Sequence, residues 1–388
     1  MQETPAQLRQ ELKRFDQGRL DRLAEAGFVS KAQIEDLVRG DLNGLTLLMT
    51  LLRVSRQDLQ HLMEWETIPA HCGVTLMAPC PLGGVLGAKG ASIAGSQVAK
   101  LATLPVMVPS YCTLVEHYQA PRNQGSVGTC TAFAAISVLE GQLAKTDHSE
   151  AFVYSLTKAI DGHPESDGSW LRFATAVLAR EGACLESRFP YREDREYLRS
   201  KPSSEAREEA KAFQSTSRVP IAIEPTDVGA IRGALASQLP VAISVPIYGS
   251  SMNSSHFHRT GRFLQRLGDL DRVAGYHAMT IVAYFDDDYL HRNGMASELG
   301  GGCFLVRNSW SPQWASENPL AQHCNAGGGY ALMSYAYLQY CFEAFTVQLR
   351  KPTHPRRQLS EPNREGWWAR TRQAVVTASR NRIAQTVR

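Results

Sequence analysis

The sequence has no long apolar run: nowhere do about 18 apolar residues follow one another, the length that a membrane-crossing helix needs. The N-terminal stretch MQETPAQLRQELKRF mixes acidic and basic side chains and lacks the apolar segment of a secretory signal. We therefore expect no membrane span and no signal-directed export. Cytoplasmic residence is the default expectation, and export by another route stays open.

Strong net charge and a close-set cysteine framework are also missing. A net charge of +3 is too small to predict a polyanionic partner for the whole protein. In a chain of this size, scattered cysteines predict mostly reduced thiols. The eight cysteines are at positions 72, 80, 112, 130, 184, 303, 324 and 341.

No set of residues has the spacing of a metal site. His71, Cys72 and Cys80 match no zinc pattern, and His256 and His258 have no third ligand in sight. We therefore predict no metal and no cofactor. His256 and His258 are expected in a solvent-exposed loop.

What the sequence does contain is a stretch at residues 119–143, QAPRNQGSVGTCTAFAAISVLEGQL, in which a glycine-containing turn becomes an apolar segment. Its large apolar residues recur at helical spacing: Phe133, Ile136, Leu139 and Leu143. Cys130 thus lies at a helix N-terminus, where free N–H groups and the helix dipole favour negative charge. The position predicts a lowered thiol pKa and a candidate nucleophile, although on its own it fits an ordinary buried cysteine better.

Two later stretches supply partners for this cysteine. Residues 275–286, GYHAMTIVAYFD, alternate like a largely buried strand and include His277; residues 303–310, CFLVRNSW, form a second strand-like run that contains Asn308. A lone histidine at a strand edge is more often structural. A thiol to attack, an imidazole to move the proton and an amide to orient the imidazole form one catalytic set.

With these three motifs the sequence resembles the papain-like (C1) cysteine peptidases over roughly residues 105–346. The separation of Cys130 and His277 lies within the about 130–150 residues typical of the family, and Asn308 lies beyond it. We assign the excess to an inserted loop at residues 286–302. The resemblance implies an α+β fold in which a helical lobe packs on an antiparallel β lobe, with the substrate cleft between them.

The resemblance also implies roles for single residues. Cys130 would be the nucleophile, His277 the general acid and base, and Asn308 the residue that orients the imidazole ring. Gln124 would complete the oxyanion hole together with the backbone N–H of Cys130.

Three further residues are predicted on the substrate side. Residues 166–170, SDGSW, stand where the family has a glycine-rich strand, so Gly168 and Ser169 would meet the substrate backbone. Trp310 would shield the bond between Asn308 and His277 from water.

The sequence departs from the family pattern at two positions. Thr131 replaces the tryptophan that usually follows the nucleophile, which alters one wall of the cleft. Val127 replaces a cysteine that forms a disulfide in secreted members, and SDGSW lacks the partner cysteine. Losing both halves fits a compartment in which disulfides do not persist.

Four regions are predicted, the first being a small all-α domain at residues 1–66. Apolar residues at helical spacing predict five helices there, with Ser30 and Ser55 as caps. The stretches RLAEAGFVSKAQIEDLV and LLMTLLRVSRQDLQHLMEW weakly resemble helix-hairpin-helix modules. No basic stripe is present, so a regulatory protein partner is favoured over nucleic acid; simple packing on the peptidase is the plainer alternative.

The other regions are a Gly/Ala-rich linker or propeptide-like segment at 67–104, the peptidase domain at 105–350 and a basic tail at 351–388. The peptidase domain is predicted helical at first, with one charged surface helix at 192–212, and then strand-rich. An extension before such a domain often blocks the cleft in this family, so we state autoinhibition as a hypothesis. The tail would contact anionic membrane or nucleic acid; docking on the protein itself or disorder is the favoured interpretation.

Together these features predict a cysteine endopeptidase that hydrolyses peptide bonds. The first alternative is a related thiol acyl-transfer enzyme, such as a deamidase, transamidase or ligase, which would use the same triad. The second is a catalytically silent binding scaffold, against which the complete set of Cys130, His277, Asn308 and Gln124 argues.

Overall fold

The computed structural model describes residues 5–72, 82, 84–86, 99–100 and 108–349, and of 99–100 it describes the backbone alone. Residues 1–349 form one unit and residues 350–388 a second. The predicted basic tail and most of the predicted linker at 67–104 therefore lie outside the described residues.

The N-terminal residues fold into short helices: α1 (Ala6–Glu11), α2 (Gln17–Glu25), α3 (Lys31–Gly40), α4 (Gly44–Leu52) and α5 (Arg56–Leu62). Ser30 caps α3 by accepting the N–H of Gln33, and Ser55 forms a complete capping box with Asp58 at the start of α5. These contacts satisfy N–H groups that a helix start leaves unpaired. The five helices and both caps predicted from the sequence are confirmed.

These helices share their core with a later part of the chain. Leu264 and Leu267 are buried in the same apolar cluster as the leucines of α2 to α4. The carboxylate of Asp36, on α3, accepts the hydroxyl groups of Ser254 and Ser255 and, at 2.9 Å, the N–H of His256. The helical unit is thus anchored to residues 249–272 by apolar packing and by the partly buried carboxylate of Asp36.

The helical lobe follows: α6 (Cys130–Leu143), α7 (Glu150–Lys158), α8 (Leu171–Glu181), α9 (Arg195–Arg199) and α10 (Ser204–Ala210). Helix α6 is buried along most of its length and lies at the centre of this lobe. The prediction of one surface helix at 192–212 was wrong. Asp194 and Ser203 cap two separate helices, and Leu198 and Ala206 are buried, because a few apolar positions among many charges suffice to dock them.

The other lobe is a sheet: β1 (Ala99–Lys100), β2 (Tyr111–Thr113), β3 (Ile221–Ala222), β4 (Val241–Tyr248), β5 (Val273–Asp286), β6 (Gly302–Arg307), β7 (Tyr330–Ser334) and β8 (Glu343–Thr346). Its order is β1-β3-β8-β4-β5-β6-β7, with β2 also on β5. β1 and β3 are parallel and the other pairs are antiparallel. The α+β, two-lobe fold and the four strands predicted at β4 to β7 are confirmed.

Shorter helices connect the strands: α11 (Val228–Ala236), α12 (Gly249–Met252), α13 (Ser255–Thr260), α14 (Asp287–Arg292) and α15 (Pro319–His323). The inserted segment at 286–302 therefore contains a helix. His256 and His258 lie on α13, not in an exposed loop. His258 is buried; its Nδ1 accepts the indole N–H of Trp314 at 3.3 Å and its Nε2 lies 2.8 Å from the carbonyl of Met252.

None of the helices within the described part of the chain is long and apolar enough to cross a membrane. Within the described part of the chain, six cysteines are free thiols: 112, 130, 184, 303, 324 and 341.

Candidate active site

Cys130 is the first residue of α6, as predicted, and the loop before it includes Gly125, whose φ of 62° favours a residue without a side chain. Backbone N–H groups of Cys130, Thr131 and Ala278 approach the sulfur. Ala278 follows His277 on β5, so the sulfur lies where the helical lobe meets the strand that carries the histidine.

The prediction of a lowered thiol pKa was wrong for this structure. Cys130 is fully buried, and burial raises the pKa of its thiol to about 12, against the lowering effect of the three N–H groups. A helix N-terminus acts over a short range, whereas losing contact with water penalises the thiolate itself. The pKa therefore depends on what covers the sulfur.

His277 lies on β5 and Asn308 directly follows β6. Nε2 of His277 is 2.7 Å from Oδ1 of Asn308, and the same Oδ1 accepts the N–H of Ser309 at 2.7 Å. A backbone N–H can only donate, so this atom of Asn308 is the oxygen and Nε2 of His277 carries the hydrogen. The neutral ring then has its lone pair on Nδ1, which makes no hydrogen bond within the described residues.

The imidazole is enclosed by aromatic packing. Trp310 stacks on the His277 ring with centroids 4.5 Å apart and an interplanar angle of 29°. Trp314 and Phe257 pack edge-on against Trp310. Trp310 has no exposed surface, so here it contacts the imidazole and not the open cleft. Burial lowers the pKa of His277 to about 4, although the bond to Asn308 raises it.

Gln124 is buried and joins the cysteine loop to the residue after Asn308. Its Nε2 donates to the carbonyl of Val127 at 2.9 Å, and its Oε1 accepts the hydroxyl of Ser309 at 2.5 Å. Its backbone N–H donates to the carbonyl of Ser309 at 2.9 Å. The side chain is therefore fixed in place, and one hydrogen of its amide is engaged by Val127.

Residues 82 and 84–86, hereafter the cleft segment, belong to the stretch 67–104 for which we stated autoinhibition as a hypothesis. Which of its residues approach the sulfur was not predicted. Ser169 pairs with the cleft segment: its N–H donates to the carbonyl of Gly84 at 2.9 Å, and its carbonyl accepts the N–H of Leu86 at 3.1 Å. A Cβ built on Gly84 would lie 2.4 Å from the Cys130 sulfur, and one built on Gly275 would lie 2.4 Å from Leu82.

The cleft segment thus approaches Gly275 on the histidine strand, the Cys130 sulfur and the predicted substrate residue Ser169. Only a glycine fits at position 84, where the backbone passes directly over the sulfur. The pair of glycines between apolar residues in PLGGV was the one available signal for so close an approach. The close approach of Gly84 also helps to shield the Cys130 sulfur from water.

Among the residues that the structure describes, no three His, Cys, Asp or Glu side chains group as metal ligands. What the arrangement offers chemically is a sulfur, a ring with a fixed tautomer, and backbone and amide donors around them. Such a set can perform nucleophilic attack on a carbonyl once the cleft is open.

Comparison with known proteins gives the family. The family model described as papain family cysteine protease matches residues 113–326. The chain is 27% identical to caricain of Carica papaya over 196 residues, 50% of this chain and 49% of that protein. It is 25% identical to cathepsin K of Mus musculus over 217 residues, 55% of each. The chain thus spans about half the length of the curated relatives it matches.

Among solved structures, xylellain, a cysteine protease from Xylella fastidiosa, aligns with a TM-score of 0.52 and 20% identity, over 71% of this chain and 100% of that one. ProCathepsin B S9 from Trypanosoma congolense aligns with a TM-score of 0.50 and 13% identity, over 70% and 87%. At these identities the likeness supports the fold alone. The family match covers more than half of the 388 residues, and the chain belongs to the papain family of cysteine proteases.

Proposed function

We propose that this protein is a thiol endopeptidase in which Cys130, His277 and Asn308 act together. The observation that carries the proposal is the fixed imidazole. Asn308 accepts the Nε2–H of His277, which leaves the lone pair on Nδ1 as the proton acceptor. The sulfur of Cys130 meets the N–H of Ala278, the residue next to that ring.

In the reaction, Nδ1 of His277 takes the proton of the Cys130 thiol, and the thiolate attacks the carbonyl carbon of the peptide bond. The oxyanion accepts hydrogen bonds from the Cys130 N–H and from the free amide hydrogen of Gln124. His277 returns its proton to the leaving amine as the C–N bond breaks. A water molecule, deprotonated by His277, then attacks the thioester, which releases the acid and restores the thiol.

Replacing the nucleophile tests this directly. Cys130→Ala removes the attacking atom, so hydrolysis of a peptide library should fall by about 10⁴-fold or more. Cys184→Ala is the matched control, because Cys184 is also buried in the helical lobe and its pKa is also raised to about 12 by burial. Hydrolysis that survives Cys130→Ala would exclude the proposal. Amine acceptors in the same assay would reveal transamidation or ligation as the dominant outcome.

We further propose that the cleft segment keeps the resting enzyme inactive. It occupies the line from Gly275 over Cys130 to Ser169 that an extended substrate would need. It also holds the thiol and the imidazole in their neutral forms, since burial raises the pKa of Cys130 and lowers that of His277. Displacing the segment would restore both water and substrate access.

A single substitution can displace this segment while the helical unit stays attached. Gly84→Leu, hereafter the opened variant, has no room for its side chain against the sulfur and the Gly128 backbone. We expect hydrolysis to rise by about tenfold or more, in line with a minor open state of the wild-type chain. Gly233→Leu is the control, because a Cβ there meets nothing within 4 Å. Equal activity of wild type and opened variant would refute autoinhibition.

Truncation is a poorer test. Removing the helical unit would expose Leu264 and Leu267 and leave Ser254 without its contact to Asp36, so lost activity would have two explanations. A regulatory protein partner for residues 1–66, a membrane or nucleic-acid contact of residues 351–388 and cytoplasmic residence all stay predictions.

A further inference from the structure

Helix α7 ends at a buried lysine, Lys158. Its side chain lies behind residues 166–170, the side of the cleft that contains Ser169, hereafter the cleft wall. The Lys158 side chain is 3% exposed, and its ammonium group has three acceptors: Asp161 Oδ2 at 2.6 Å, the His163 carbonyl at 2.7 Å and the Gly168 carbonyl at 3.0 Å. An ammonium group has three N–H donors, so these bonds satisfy it completely. All three acceptors belong to the loop that connects α7 to α8.

One of these bonds fixes a direction in the cleft. The carbonyl of Gly168 and the N–H of Ser169 belong to the same peptide group, and in a trans peptide these two point in opposite directions. Lys158 donates to the Gly168 carbonyl and so holds it on the side of the cleft wall that faces away from the cleft. The Ser169 N–H must then face the cleft, where it donates to the carbonyl of Gly84.

The aspartate supports the lysine in this task. The Asp161 side chain has no exposed surface, and its Oδ1 accepts the N–H of His163 at 2.9 Å. A buried ion pair contributes little net stability compared with apolar residues of the same size, although removing one partner is costly. Stability alone is therefore a weak reason for an ion pair here. A donor to the Gly168 carbonyl, in contrast, fixes the direction in which the Ser169 N–H points.

We propose that Lys158 is a positioning residue for substrate binding, because it aims the Ser169 N–H at the backbone of the bound peptide. This inference rests on the proposed function, in which Ser169 pairs with the substrate as it now pairs with Gly84. The family motifs do not include Lys158, and its effect reaches the substrate only through Gly168 and Ser169.

The first test separates binding from turnover. Lys158→Met keeps a similar length without a donor. Introduced into the opened variant, it should raise KM about tenfold and leave kcat within about twofold, because an interaction shared by ground state and transition state is lost. The control is Lys211→Met, which removes an exposed lysine of the same lobe paired with Glu208. Unchanged KM in Lys158→Met overturns the inference.

The second test separates positioning from stability. Lys158→Met leaves a buried, unpaired Asp161 carboxylate, which destabilises the fold. Adding Asp161→Asn removes that charge, but the Gly168 carbonyl still lacks its donor. We expect the melting temperature of the double variant to recover toward that of the wild-type chain while KM stays high. Recovery of KM together with stability would overturn the inference, and the double variant also serves if Lys158→Met alone does not fold.

The third test needs no enzymatic activity. In the full chain with Gly84 intact, the Ser169 amide is hydrogen-bonded and should exchange slowly with solvent deuterium. Lys158→Met should remove that protection, and Lys211→Met should keep it. Retained protection in Lys158→Met overturns the inference. If the opened variant hydrolyses nothing, the proposed function fails, and Ser169 exchange still decides the role of Lys158.

Discussion

The two walls of the cleft are held in place by different forces. On the sheet side, His277 pairs with Val245 of β4, strand β5 pairs with β6 from Thr280 onward, and Trp310 covers the His277 ring. On the helical side, the loop before Ser169 is held by charged groups: Lys158 and Asp161 within, and Asp167 with Arg195 and Arg199 outside. Strand pairing and aromatic packing respond little to salt, whereas exposed ion pairs respond strongly. His277 and Asn308 thus lie on the wall held by strand pairing, hereafter the rigid wall. The proposed substrate contact of Ser169 lies on the wall held by charged groups, hereafter the tunable wall, and Cys130 starts helix α6 between the two.

On the rigid wall, removing the Asn308 amide that orients the His277 ring should change the kinetics more than any change on the tunable wall. In the opened variant, Asn308→Ala leaves the Nε2–H of His277 without an acceptor, so the ring can rotate or change tautomer. We expect kcat to fall by about 100-fold with little change in KM, a loss typical of a misplaced general base. Steady-state kinetics measure the loss in kcat. Added salt should not alter the ratio of kcat between the opened variant with and without Asn308→Ala.

Two further variants sharpen that measurement. Asn308→Asp keeps an oxygen acceptor and should retain most of the turnover that Asn308→Ala loses. Asn318→Ala removes another buried asparagine, which caps α15 and donates to the carbonyl of Tyr330, and should leave kcat unchanged. Equal losses in Asn308→Ala and Asn318→Ala would mean that general loosening, not the imidazole, explains the effect.

The burial of His277 on this wall also predicts that the free energy of unfolding depends on pH in the chain with Gly84 intact, hereafter the closed chain. The pKa of His277 falls from its usual value near 6.5 to about 4 on folding, because burial disfavours the charged ring. Between these values the unfolded chain binds a proton that the folded chain does not, so stability is lost as the pH falls from about 6.5 toward 4. Burial shifts the pKa values of His148 and His256 in the same direction.

His277 alone should lower the free energy of unfolding by about 2 kcal/mol between pH 7 and pH 5. Urea unfolding at the two pH values measures the total, and imidazole NMR signals separate the histidines. In the opened variant the His277 ring should titrate at higher pH, since water then reaches it. A His277 that titrates near 6.5 in the closed chain would show that the cleft segment does not shield this wall.

Strands and helix caps whose sequence signals are local were predicted correctly. Strand β4 was predicted with its observed bounds, Val241–Tyr248, and Ser55 was recognised as a cap, because periodicity and capping depend on neighbouring residues. The neighbourhood of His277 and Asn308 was placed by family motifs. The burial of His258 was missed, since its contacts include Trp314, far away in sequence.

The sign of the thiol pKa shift failed for the same reason. The helix start at Cys130 was predicted correctly, but the burial that outweighs it comes in part from Gly84, far away in sequence. Lys158 likewise gave no signal, because the end of a helix gives no indication of which carbonyls a later loop will bring to it. Contacts that cross from one segment to another decide the chemistry here, and a single sequence does not record them.

On the tunable wall, removing the charge of Asp167 should give the smallest change in KM, and added salt should abolish that change. Asp167 precedes Gly168 and accepts from Arg195 at 2.7 Å and from Arg199 at 3.1 Å. In the opened variant, Asp167→Asn should raise KM about threefold at low salt, the size expected for partly exposed ion pairs. The difference should vanish near about 1 M salt, where screening already weakens these pairs in the unsubstituted chain. Asp269→Asn, which removes an exposed partner of Arg266, is the control. A KM difference that persists at high salt would place Asp167 with the rigid wall, and the contrast between the two walls would fail.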